Sequence, residues 1–456
     1  MKRTPPVPSP CGVLHGAWPA RRENAGAGRM ALLMLLLNVG GCALTRSVIE
    51  PATPTAREEA VYQQFFPYYA ETCALTQLGK KSGFGAEIYS GVGGHDVLYL
   101  NGVCRTPAQA YPVLQMCDAA PRTRDADGVG ITVNAHYRNA AWVAVEGRGF
   151  FFSGDLRADE ALTREQYRAV QREAVRRGIY DGIEFHPEFL RDMPGGFTRD
   201  EFRYEISIAT DYAIAFGRNR YCARVPMSRA QMLEVVSFLN RINEPYRTAQ
   251  KVFDWNIFTH NCAHINHNAL SAAKVWAEWP MDRPLWISIF NFPVPKNEFV
   301  NLVRRTNDFD ISDPATIYQD LSARTQLMTF DQLPTTPGSI IDLGPLLAVN
   351  ALYNTHSEII FYDQPWLGPY QRRFEEILRQ PRYARLQDNL QYFDALYTKI
   401  LESRQPVESY LVHHPDIPPT EGPAFRTFYA RYYRYVETQR RVTRLALAQL
   451  GDGASS

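Results

Sequence analysis

The chain has 456 residues, a formal net charge of +1, 45% hydrophobic and 12% aromatic residues. That length accommodates one large core or two domains. The balanced charge argues against nucleic acid and against a polybasic membrane surface as partners, and the aromatic content excludes a disordered chain.

Residues 1–29 are rich in Pro, Gly, Ala and Arg and show no periodicity. The apolar run from Met30 to Val39, broken by Asn38, is too short to span a membrane. It has the length of a signal-peptide core, with Arg21, Arg22 and Arg29 before it. Gly40 and Gly41 immediately precede Cys42, which resembles a bacterial lipobox. The expectation is a signal peptide over 1–41, a lipidated (palmitate-type) anchor at Cys42, and a tether rich in Thr, Pro and Ala over 42–57. The other reading of this run is a short buried segment, and Met30 is an alternative start.

The spacing of Val61, Phe65, Tyr68, Tyr69 and Leu75 predicts a helix over 58–78, bent or split at Pro67. A glycine-rich loop over 79–94 leads to the short apolar strand Val97–Leu100, and Asn101–Gly102 signals a turn. A short helix is expected over Thr106–Met116 and an exposed connection over Asp118–Asp127. Gly130–His136 alternates as a second strand, placing Asn134 and His136 on one face. Ala141–Glu146 reads as a third strand, which Gly149–Phe152 extends or follows with another. Thr163–Arg177 is an amphipathic helix with a Thr-x-x-Gln capping box and Gly178 at its end. Tyr204–Ile208 and Asn219–Val225 read as strands, and Ser228–Asn243 as a helix closed by Pro245. Later helices are expected over Lys296–Arg305, Asp313–Leu327, Gly338–Asn350, Tyr370–Leu378, Arg385–Leu401 and Phe425–Gln449. The aromatic segment Trp276–Phe292 is either core or a binding surface.

Setting aside Cys11 in the leader and Cys42 at the anchor, five cysteines remain: Cys73, Cys104, Cys117, Cys222 and Cys262. An odd count in an exported protein leaves one thiol unpaired if the rest form two disulfides. Cys262 is the natural free thiol. The other four allow three pairings, of which Cys104–Cys117, closing a short loop, is favoured.

Chemistry concentrates in Trp255–Asn268, which carries one cysteine, three histidines and four asparagines ahead of an apolar run to Trp276. Thr259 or Asn261 would cap a helix there, with Cys262 in its first turn. The helix dipole and the unpaired N–H groups favour a thiolate, and the same N–H groups can hold a tetrahedral oxyanion. Cysteine hydrolysis needs a base and a group that orients it. His95, at the mouth of the first strand, is the candidate base. His136 and Asn134 are the candidate orienters from the next strand, His136 first. Asn261 is an oxyanion donor or simply a cap, and Asn266 shares the Cys262 face. Strand alternation points Asp96 away from His95. The bland readings are a buried cysteine, a loop histidine and polar residues at a strand end. A rival chemistry is zinc held by His260, His264 and His267 at i, i+4 and i+7. His260 precedes the helix, however, and no Glu sits within the cluster as in His-Glu-x-x-His. No metal or other cofactor is therefore assigned.

Gly94–His95–Asp96–Val97–Leu98–Tyr99–Leu100 resembles the Gly-His strand of the permuted branch of the papain-like NlpC/P60 superfamily. Asn261–Cys262–Ala263–His264 resembles the Asn-Cys-x-His signature of its lecithin:retinol acyltransferase-like members and of bacterial envelope proteins of the DUF4105 type. The resemblance covers roughly residues 84–276. It implies Cys262 as nucleophile, His95 as base and His136 or Asn134 as orienter. It also implies an α+β domain over 58–279, with an antiparallel sheet and a nucleophile helix, ahead of a mostly helical region over 280–456. About 165 residues separate the two motifs, so the core would carry long insertions. The expected activity is thioester-mediated hydrolysis or acyl transfer at the bacterial cell envelope. The lipid on Cys42 would hold the protein on the inner or outer membrane, facing the periplasm. Peptidoglycan peptide bonds are the first substrate and lipid acyl groups the second. The alternative is a non-catalytic envelope scaffold or binding lipoprotein, or a zinc-binding protein.

Overall fold

The computed structural model describes residues 42–45, 54–81, 94–107, 109–117, 128–157, 159–191, 193–257, 259–280, 294–355, 359–362 and 369–451. The expected signal peptide, most of the glycine-rich loop, the connection 118–127 and most of the Trp276–Phe292 segment lie outside them.

In chain order, strand β1 (Cys42–Thr45) precedes helix α1 (Ala56–Phe65), β2 (Tyr69–Leu75), β3 (His95–Asn101), β4 (Val103–Arg105), β5 (Leu114–Met116), β6 (Gly128–Thr132) and β7 (Val143–Glu146). Helices α2 (Arg148–Ser153), α3 (Arg164–Arg176) and α4 (Arg199–Ser207) follow, then β8 (Arg220–Pro226), α5 (Arg229–Arg247), α6 (Cys262–Ala272) and α7 (Pro295–Asn307). The remainder is α8 (Pro314–Gln319), α9 (Leu321–Phe330), β9 (Ile340–Gly344), β10 (Ile359–Tyr362), α10 (Tyr370–Arg379), α11 (Pro381–Ala384), α12 (Leu386–Glu402), α13 (Val407–His413) and α14 (Gly422–Gly451). The architecture is mixed α and β, with an antiparallel sheet and a helical C-terminal region. No helix among the described residues is long and apolar enough to cross a membrane.

The sheet has the order β7-β6-β3-β2-β8-β9, and every pairing is antiparallel. Its centre, β2, is buried along its whole length. That explains why helical periodicity misreads it: a strand covered on both faces loses the polar–apolar alternation that marks a half-exposed one. The predicted helix over 58–78 does split at Pro67, because proline has no N–H with which to continue the ladder. α1 starts with a Thr55–Glu58 capping box and ends at Phe66, and the rest becomes β2.

Other expectations are corrected by tertiary context. Thr106–Met116 forms no helix; β4 and β5 pair there and the Cys104–Cys117 disulfide closes the hairpin. The second strand stops at Thr132, so Asn134 and His136 lie in the turn beyond it. Gly149–Phe152 is helical within α2, whose Arg148 is drawn between the buried carboxylates of Glu71 and Asp342. Tyr204–Ile208 is mostly α4, started by a Thr198–Glu201 capping box. Pro245 lies inside α5 rather than closing it, within the last turn. Gly338–Asn350 contributes β9, an edge strand paired to β8, so the last third of the chain completes the sheet.

Helix α2 covers one face of the sheet: a Cβ on Gly130 would meet the Phe151 ring at 2.2 Å. On the other face α6 packs on β3, and α7 on β2 and β8. Cys73 and Cys222 stand directly opposite each other on β2 and β8 and form the second disulfide. A second core cluster, rich in aromatics such as Phe425, Phe428 and Tyr432, joins α8, α9, α12, α13 and α14. β1 pairs with β10, Cys42 opposite Tyr362.

Candidate functional site

One end of the sheet gathers the chemistry-bearing residues. His95 opens β3, Thr132 closes β6, Arg218 lies just before β8, Cys262 opens α6 and Lys296 sits in the first turn of α7. Helix α6 starts where capping chemistry dictates. Asn261 has extended backbone geometry, and its Oδ1 accepts from the His264 N–H at 2.9 Å. Its Nδ2 donates to the Ile257 carbonyl at 2.8 Å, so the amide is engaged as a cap rather than presented to a ligand.

Cys262 is a free cysteine and is 6% exposed. Burial, reinforced by the neighbouring Asp96, pushes its thiol up to about 12, against the N–H groups of Asp96, Ala263 and Cys262 itself, which face the sulfur and favour a thiolate. The Asp96 N–H belongs to the peptide that joins His95 to Asp96, so the thiol sits at the start of β3. Among the described residues no hydrogen bond joins the thiol to the His95 imidazole.

His95 is 8% exposed, and burial, with help from the Arg218 guanidinium, lowers it to about 3. Its Nε2 lies 3.3 Å from Thr132 Oγ1. That hydroxyl donates its single proton to Asp211 Oδ1 at 3.0 Å. His95 Nε2 must therefore carry the proton it shares with Thr132, which leaves Nδ1 as the proton-accepting nitrogen. Asp211 anchors the chain of hydrogen bonds: Asn134 Nδ2 donates to it at 3.1 Å, and the hydroxyls of Tyr137 and Tyr180 donate as well. Burial raises the Asp211 carboxyl, and these four donors oppose the rise.

The polar side chain that meets His95 from the neighbouring strand is thus Thr132, not His136 or Asn134. Asn134 reaches Asp211 instead, one step further out. His136 packs its ring against Phe185 and Phe189, is lowered to about 4 by burial and then by His186, and makes no contact with His95. Alternation does point Asp96 away from His95, and this places it on the α6 face, beside Cys262 and Asn266.

Two cations complete the setting. Arg218 is buried, donates to the Thr76 and Ala209 carbonyls at 2.7 and 3.0 Å, and is lowered to about 10 by burial, opposed by Cys262 and Asp211. Lys296 is buried and lowered to about 7 by burial and by Arg218. Its Nζ packs against Gly94, where a Cβ would lie 3.0 Å from it and 2.5 Å from the Leu75 carbonyl oxygen. With φ at +73°, that position needs glycine twice over.

The histidine cluster forms no shared ligand set. His260 Nδ1 meets Thr259 Oγ1 at 2.9 Å and His264 Nδ1 meets Asn261 Oδ1 at 3.1 Å. His267 lies between the Trp276 and Trp279 rings, at centroid distances of 4.2 and 3.5 Å, with its nitrogens on Glu298 Oε2 and the Ala277 carbonyl, both 2.9 Å away. These contacts make His267 a structural clasp between α6 and α7. Among the described residues the one grouping of three potential ligand side chains is Glu71, Cys73 and Cys222, and the two sulfurs are bonded to each other.

Thr132, Asp211, Arg218 and Lys296 carry no local sequence signal. Only strand register, which puts Thr132 beside the start of β3, could have pointed to the first. No protein-family model, no curated protein and no solved structure matches this chain.

Proposed function

We propose that this chain is a cysteine-dependent hydrolase or acyltransferase of the permuted papain-like, NlpC/P60 kind. The observation that carries the reading is the free thiol of Cys262 at the start of α6, facing three N–H groups, one of them from the strand end that carries His95. Cys262 attacks an ester or amide carbonyl carbon, and its proton passes to His95 Nδ1. Thr132 and Asp211 steady the imidazolium through Nε2. The N–H groups of Cys262 and Ala263 face the oxygen on which charge develops. His95 then returns the proton to the leaving group, and the thioester passes its acyl group to water or another acceptor. Because burial keeps both partners neutral at rest, the proton leaves sulfur only as the carbon–sulfur bond forms. Lipidation of Cys42 would hold the enzyme at a bacterial envelope membrane, with peptidoglycan peptide bonds as first substrates and lipid acyl groups as second.

A second reading, a non-catalytic envelope scaffold on the same fold, is favoured by the burial of Cys262 and its raised thiol. Peptide mapping of the folded, exported protein after electrophile labelling separates the two. The enzyme reading predicts selective modification of Cys262 near neutral pH that is lost in His95→Ala. A thiol inert until the chain unfolds supports the scaffold.

A further inference from the structure

Beside Cys262, on the face of β3 that α6 covers, two side chains stand with every polar atom unpartnered. Asp96 and Asn266 are each 1% exposed. Both carboxyl oxygens of Asp96 and both Oδ1 and Nδ2 of Asn266 lack a hydrogen bond. The Asn266 amide and the Val97 N–H lie close enough to the carboxyl to favour its charged form, yet neither closes a hydrogen bond of ordinary geometry. Most buried polar atoms in native interiors find a partner, and here four without one are gathered in one place. They are not surplus core residues. Asn266 is one turn along α6 from Cys262, and the Asp96 N–H faces the sulfur.

We infer that Asp96 and Asn266 form the seat of the acyl acceptor, and that the acceptor is a hydroxyl group, of water or of an alcohol. A hydroxyl both donates and accepts, and this pair offers both functions: an amide N–H and a carbonyl from Asn266, and carboxyl oxygens from Asp96. The inference rests on the acyl-enzyme reading of Cys262. In the second half of the reaction the hydroxyl oxygen attacks the thioester carbon. The carbon–oxygen bond forms, the carbon–sulfur bond breaks, and the electron pair leaves on Sγ. The hydroxyl proton passes to one oxygen of the protonated Asp96 carboxyl while the proton on its other oxygen passes to sulfur, restoring the thiol. Burial, with Glu298 nearby, pushes Asp96 well above the usual carboxylate range, so the carboxyl keeps its proton and can give one and take one in the same step. In this scheme His95, the first residue of β3, serves acylation and its neighbour Asp96 serves the second half-reaction.

The test is pre-steady-state hydrolysis of an activated p-nitrophenyl ester by the full chain, with intact-mass readout of the acyl-enzyme. In the wild type, a burst of nitrophenol is followed by slower turnover. In Asp96→Asn and in Asn266→Leu, the ratio of deacylation to acylation rate falls about 100-fold and acyl-Cys262 accumulates. Added methanol gives the source of the hydroxyl. Methyl ester formed by the wild type and lost in the variants marks an alcohol acceptor; hydrolysis alone, slowed in the variants, marks water. Matching thermal unfolding and circular dichroism show that the variants fold, and the shape-conserving Asp96→Asn guards against a collapse caused by Asn266→Leu. A burst whose decay is unchanged in both variants overturns the seat while leaving the nucleophile intact. A wild type with no burst overturns the acyl-enzyme reading and the seat with it.

Discussion

His95 Nε2 lies 3.3 Å from Thr132 Oγ1, and because the Thr132 proton is given to Asp211, Nε2 is assigned as the donor and Nδ1 as the open nitrogen. The relay has a direct consequence. Thr132→Val keeps the side-chain shape but removes the acceptor for Nε2–H, and the ring is then free to turn or to change tautomer. Ester turnover is expected to drop by about 10- to 100-fold, while Thr132→Ser retains most of it. Equal losses in both variants would show that the hydroxyl has no such role.

The histidines also set an acid limit on stability. Below the ordinary histidine range the unfolded chain takes up protons that folded His95 refuses down to about pH 3, and His136 down to about pH 4. The unfolded state therefore binds more protons, and stability falls as pH drops from about 6.5. Denaturation midpoints measured from pH 7 to pH 4 should decline, and His136→Phe should flatten the slope while keeping the aromatic packing against Phe189. An unchanged slope would remove His136 from the account.

On the alkaline side the sign reverses in cause but not in outcome. An unfolded thiol ionises from about pH 8.5, whereas buried Cys262 holds its proton up to about 12. Unfolding thus releases a proton above the unfolded value, and stability declines as pH rises. Cys262→Ala should lessen that decline in urea titrations between neutral pH and pH 10.

The buried charges under the sheet give a structural prediction. Arg148 donates to Glu71 at 2.8 and 3.1 Å and to Asp342 at 2.6 Å, and Arg224 also reaches Asp342, at 3.1 Å. Arg148→Met leaves Glu71 without its cation and should cost about 3–5 kcal/mol in chemical denaturation. A loss below about 1 kcal/mol, the worth of an exposed pair, would mean that the cluster relaxes around the gap.

Disulfides should rank by the chain they close. Cys73–Cys222 joins residues 149 apart and Cys104–Cys117 residues 13 apart. Replacing the first pair by alanine should cost more than replacing the second, within a range of about 2–5 kcal/mol. Denaturation of the two double variants under oxidising conditions checks the order.

What was legible in the sequence was local chemistry. The four-residue capping boxes at Thr163 and Ser228 and the Asn261 cap announced their helices, because a cap is satisfied within one turn. The start of β3 at His95 and the 104–117 pairing were likewise written in short stretches. What was not legible depends on partners far along the chain. Tyr69–Leu75 mimics a helix because both of its faces are covered. Ile340–Gly344 is a strand only because β8 offers an open edge. Thr132 meets His95 through register, and Asp211, 79 residues beyond Thr132, arrives from a separate connection. Asn134 was placed near this network, but one hydrogen bond too far out to touch the imidazole.

The most direct test of the central claim is to trap the acyl-enzyme. Folded protein mixed with an activated ester at neutral pH, quenched in acid and mapped by peptide mass, is predicted to carry the acyl group on Cys262. His95→Ala should abolish the adduct, and Cys262→Ser should lack the thioester. Cys262 left unmodified in the folded wild type, or acylated equally well without His95, would contradict the account.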